Sequence, residues 1–177
     1  MNVKQVVGVS VFCMLCAAVP GTAFAQSQSD NANVTSLFSR AKTTLVKIKK
    51  DAAEMESYTR SSGLSWKTHS ASLDRIKADV NELGTYVQGM KTQRDSGSAW
   101  QQSAIDQVSP LMSDLATNMN AAIDHLNNNK SRPTAAPYPE YLRANVRIAN
   151  DLSGEINDIL DYAQAKATMD RLGEKLQ

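Results

Sequence analysis

His69 and His125 are the only histidines of the chain, and with Met55 they form its most suggestive set for chemistry. Imidazole and thioether both ligate haem iron, and side chains on facing helices of a bundle can hold such a group. A haem or metal carrier using His69 with Met55 or His125 is therefore one expectation. The neighbouring residues do not extend it. A di-iron bundle needs a glutamate three residues before histidine on two helices, but here Trp66 precedes His69 and Ala122 precedes His125 at that spacing. HExxH, GxSxG and phosphate-cradling glycine motifs are absent. Asp and Glu alternate with Lys and Arg at outward helical positions, the pattern of a solvated face. The sequence thus predicts no catalytic residues, no metal cluster and a protein that is not an enzyme. Its leading reading has no cofactor.

The first 25 residues have the form of a secretory signal. Lys4 gives a positive start, residues 6–19 form an apolar stretch, and Ala23, Phe24 and Ala25 form a small-residue cleavage motif. Cleavage after Ala25 would remove Cys13 and Cys16, leaving no thiol for a disulfide, a metal or catalysis. It would also remove one lysine and no acid, leaving 18 basic residues against 18 acidic ones. A balanced charge offers no basic stripe for nucleic acid. No later stretch is long and apolar enough for a membrane span. The expected product is a periplasmic or secreted bacterial protein, with the shape of the signal favouring a Gram-negative periplasm.

The elements that must position the histidines are readable from periodicity. Trp66, His69, Leu73, Ile76, Val80, Leu83, Val87 and Met90 recur at steps of three and four, the seam of a coiled coil or antiparallel bundle. After a polar leader over 26–32, expected to be disordered, similar ladders predict helices over about 33–60, 65–94, 98–127 and 139–173. Asn33 or Asp30 is the expected cap of the first, and Ser98 of the third. Pro110 falls inside the third, but the repeat continues in phase from Val108 to Met112, so a continuous kinked helix is predicted. Facing residues of antiparallel helices have position numbers with a constant sum. Met90 with Ile105, Leu83 with Met112 and His69 with Leu126 all add to 195. The first and second helices pair near 124 or 125, and the third and fourth near 267, with Tyr141 opposite Leu126. The prediction is an all-α, up-down-up-down antiparallel four-helix bundle with a heptad core.

That architecture is similar to the soluble bundle cytochromes. Their ligands come from the first and last helices, and the last helix here contains no histidine. The ordinary expectation is that His69 bonds Tyr141, Asn145 or a loop carbonyl while His125 faces solvent. Asn145, in an otherwise apolar layer, is expected to pair with His69 or reach water. Trp66, Tyr58, Tyr138 and Tyr141 gather at the same end, where rings commonly close a core against water.

At the opposite end, Ala163 meets the last layer while the fourth helix can run on for about 18 Å at 1.5 Å per residue. Ala167, Met169, Leu172 and Leu176 overhang, with Trp100 nearby. The overhang is expected either to fray or to receive a protein partner or a second copy, giving a homodimer. The leading functional expectation is a binding or structural protein acting through its helix surfaces. A periplasmic chaperone or stress adaptor is a further alternative. Small helical periplasmic chaperones carry a repeated Leu-Thr-x-x-Gln motif, which this chain lacks.

Overall fold

The structure, a computed structural model, describes residues 29–60 and 65–176. The expected signal peptide, residues 26–28 of the expected leader and residues 61–64 between the first two expected helices lie outside the described residues. Four α-helices follow in order: α1 (Ala32–Tyr58), α2 (Trp66–Thr92), α3 (Ala99–Asn128) and α4 (Tyr138–Lys175). A single 3-10 turn, Arg94–Ser96, links α2 to α3. Among the described residues, no helix is long and apolar enough to cross a membrane.

The helix starts follow from local hydrogen bonding. Asn31, in extended conformation, accepts from the backbone N–H of Asn33 and Val34 and caps α1, the role expected of Asn33 or Asp30. Its short amide reaches the two free N–H groups one turn in, which Asn33, already inside the helix, cannot do. Ser65 caps α2 by accepting from Thr68 N–H. At α3, Ser98 and Gln101 form the expected start as a capping box. Pro139 falls in the first turn of α4, where no intrahelical donor is lost. Pro110 lies within α3, which runs unbroken past it.

The principal packing contacts are α1 on α2, α2 on α3, α3 on α4 and α4 back on α1, the square of an antiparallel bundle. Polar contacts across α1 and α2 show the register: Arg40 with Tyr86, Thr44 with Glu82 and Asp51 with Arg75 each have numbers adding to 126. Gly89 marks a close approach of the same two helices, because a Cβ there would lie 3.2 Å from Leu37 Cδ1. Inside, Val34, Phe38, Leu45, Ile48, Leu83, Leu115 and Leu152 are fully buried. Each such side chain is worth about 1.5–3 kcal/mol of burial, whereas an exposed ion pair contributes roughly 0–1 kcal/mol. The heptad layers, not the surface charges, hold the bundle together.

The register of α4 differs from expectation by about one turn. Asn118 pairs with Asn145 and Trp100 with Tyr162, numbers that add to 263 and 262 rather than 267. Tyr138 and Leu142 are buried, while Tyr141 is only half-buried. The helix begins one residue earlier than expected, at Tyr138, which lies one heptad before the buried Asn145 and so takes the inward place assigned to Tyr141. Ala163, expected in the last layer, is half-buried, and Ile159 is the last buried residue of α4.

Candidate functional site

The ends of α1 and α3 meet the starts of α2 and α4 at a histidine end. His69, Met55, Leu126 and Tyr138 are all at most 1% exposed there. His69 Nδ1 lies 3.2 Å from Tyr138 Oη, so its partner is Tyr138 rather than Tyr141, Asn145 or a loop carbonyl. Nε2 of the same ring is buried without a partner. If the phenol donates to Nδ1, the orphan is an N–H; if Nδ1 donates, the orphan is a lone pair. Burial lowers the pKa of His69 and raises that of Tyr138, so a neutral imidazole faces a neutral phenol.

Tyr138 joins both histidines. Its ring stands edge-on to His69 at 5.5 Å and stacks on His125 at 5.6 Å with 23° between the planes. His125, expected to face solvent, is half-buried, and its Nε2 is buried without a partner. The stacking explains the difference: inward rotation of Tyr138 supplies a surface against which His125 folds. Tyr58 adds an edge contact to His69 at 5.9 Å. Its hydroxyl donates to Glu54, whose carboxylate raises the phenol's pKa. Lys130 sits 4.9 Å over the Trp66 ring, a cation–π contact that caps the cluster from the loop. Asn145 pairs not with His69 but with Asn118, which donates to it at 2.9 Å and to the Tyr141 carbonyl at 2.6 Å.

Two imidazoles with a free nitrogen are the chemically available groups here. Among the described residues, no group of three or more His, Cys, Asp or Glu side chains comes together in a way that would hold a metal ion. Met55 is 1% exposed in the same end of the core as His69. Of the remaining methionines described, Met90, Met112 and Met119 are buried and Met169 is 72% exposed.

The opposite end is closed by amides and charges. Gln101, fully buried, accepts from Asn31 N–H at 2.8 Å and Ser98 N–H at 3.1 Å. Its amide nitrogen donates to the Asn31 carbonyl at 2.9 Å and to Thr35 Oγ1 at 3.1 Å. Asp30 accepts from Trp100 Nε1 at 2.6 Å and lies 3.3 Å from Lys166 Nζ. Burial alone would raise the Asp30 pKa, but hydrogen bonds from Ser98 and Trp100 and the Lys166 ammonium outweigh it and hold the carboxyl below its usual value. Asp30 and Asn31, within the expected leader, are thus fastened to the bundle. The sequence reading missed Gln101, although the Ser98-x-x-Gln101 spacing is the capping-box signature.

Beyond this network α4 continues as helix to Lys175. Of the residues named there from sequence, Met169, Leu172 and Leu176 are 72%, 52% and 89% exposed. Trp100 is half-buried, with its ring against Tyr162 at 5.3 Å. Ala167 lies apart from them, in a depression shared with Thr35, Ser39 and Leu160 on the α1 side. Comparison with protein-family models, with curated proteins and with solved structures finds no match to the chain.

Proposed function

We propose that the chain is an exported, non-enzymatic helical-bundle protein that works by binding through its helix surfaces. One observation carries this reading. The large hydrophobic side chains most exposed among the described residues are Val46, on α1, and four others, Tyr162, Met169, Leu172 and Leu176, which lie together at the end of α4. A lone exposed apolar residue such as Val46 is ordinary, but a contiguous group marks an interaction site. Export rests on the signal-like residues 1–25, and the recovered chain should then begin at Gln26. A photo-crosslinker placed at Leu172 should capture a protein in the exporting cell, while one at exposed Asn150 should not. Equal crosslinking at the two positions would remove the basis for this reading.

A second reading, a haem or metal carrier, is favoured by the two unpartnered Nε2 atoms of His69 and His125 beside Tyr138. Binding there would satisfy a nitrogen that the fold leaves without a partner. Haem titration of the purified protein would then give a Soret band that weakens in His69→Gln. A titration curve identical to free haem would rule it out.

A further inference from the structure

We infer that the end of α4 is a self-complementary seam that pairs antiparallel with the same segment of a second copy of this chain. This rests on the surface-binding reading above and names its partner. Tyr162, Ala165, Met169, Leu172 and Leu176 recur at steps of three and four, the rule that builds the bundle core. All five are exposed. The seam is rotated away from the face that buries Ile156 and Ile159, and it leaves the bundle where Tyr162 meets Trp100 at the start of α3. Past that point Lys166 still reaches Asp30, while Met169, Leu172 and Leu176 stand exposed.

An antiparallel second copy meets the constant-sum condition. Tyr162 falls opposite the partner's Leu172 and Ala165 opposite the partner's Met169, and both pairs add to 334. The two-fold axis repeats each contact, so large residues meet large and the small Ala165 makes room for a methionine. Leu176 then reaches a groove of about 290 Å³ on the other copy, lined by Trp100, Ala104, Ile159 and Tyr162 together with the carboxylates Glu155 and Asp158.

The flanking charges fall close to the same register, their numbers adding to 336. Asp161 lies beside the partner's Lys175, and symmetry makes the pair twice. Among the described residues neither is half of an ion pair within its own chain, whereas the neighbouring Lys166 already sits between Asp30 and Asp170 at 3.3 and 2.7 Å. The two Lys166 residues brought together by the axis therefore arrive with their charges compensated. Equal apolar sums follow from any such ladder, so it is the charge exchange that singles out a second copy of this chain over an unrelated helix.

Sedimentation of the purified protein tests this. The expected result is a dimer that becomes monomeric in Met169→Glu/Leu172→Glu. Asp161→Lys and Lys175→Asp should each weaken dimerisation by about tenfold, since two attractive exposed pairs become repulsive. The double variant Asp161→Lys/Lys175→Asp should restore it. A monomer at all concentrations, or a dimer unaffected by Met169→Glu/Leu172→Glu, would overturn the inference. If the Leu172 crosslinker captures a different protein and the purified chain is monomeric, surface binding survives while self-pairing fails.

Discussion

At the histidine end the bundle is closed by buried, uncharged rings, whereas at the Trp100 end it is closed by an amide, a carboxylate and an ammonium. Gln101 makes three hydrogen bonds to the backbone of Asn31 and Ser98 and a fourth to the Thr35 hydroxyl. His69, equally buried, makes one and leaves Nε2 alone. The difference reflects what each end must accommodate. Each end gathers two helix starts, but at the histidine end the exposed Ser65 caps α2 and α4 opens with a proline, whereas at the Trp100 end the starts of α1 and α3 draw on the buried Gln101. The same end lets α4 run on, so polar closure sits beside an exposed apolar seam. The histidine end has a well-packed core with unpartnered polar atoms; the Trp100 end has satisfied polar atoms with unpartnered apolar ones.

The largest effect should come from Tyr138→Ala. It removes a fully buried ring that both histidines touch, and loss of such an aromatic costs about 3–5 kcal/mol, read as a lowered urea midpoint. Tyr138→Phe keeps the ring and removes only the bond to His69, costing about 1 kcal/mol. Similar values for both substitutions would show that the end is held by the hydroxyl rather than by packing. At the other end, Gln101→Ala should cost about 1–3 kcal/mol because it strips acceptors from two backbone N–H groups. Faster amide exchange at Asn31 and Ser98 would place the loss at those donors.

Acid should distinguish the ends further. The pKa of His69 is lowered by burial from its ordinary value of 6.5, so below that value the unfolded chain binds a proton that the folded chain refuses. Its contribution is complete above about pH 6.5 and is lost as pH falls towards the lower folded value. The rings touching it are uncharged Tyr58 from α1, with Glu54 behind it, and Tyr138 from α4, which also contacts His125 of α3. Urea midpoints measured from about pH 8 to about pH 5 should fall less steeply in His69→Gln than in the wild type. Parallel slopes would place the acid sensitivity elsewhere. The smallest stability effect should belong to Leu172→Ser, within about 0.5 kcal/mol in the monomer, because the residue lies outside the bundle. A larger loss measured under monomeric conditions would mean that the tail packs on its own bundle.

Much of the fold was legible because a helix buries residues at a fixed spacing. The Trp66 to Met90 ladder, its partner on α3 and the Ser98 cap could each be read from local pattern. The start of α4 was less legible. Both Tyr138 and Tyr141 fit an inward position within one turn, and choosing between them requires knowing what the phenol meets. The same ambiguity hid the stacking of His125 and the pairing of Asn118 with Asn145.

Sequence by itself determined that four amphipathic helices would pack antiparallel in layers, since the heptad period leaves each helix one face to bury. It also determined that α4 would outrun its neighbours, which is a matter of length. Only tertiary structure decided which ring enters the histidine end, which imidazole nitrogens lack partners, and that Met169, Leu172 and Leu176 form one seam with Tyr162 while Ala167 stands apart. Periodicity states which residues share a helix face, but the rotation of that face against its neighbours is set by contacts between segments distant in the chain.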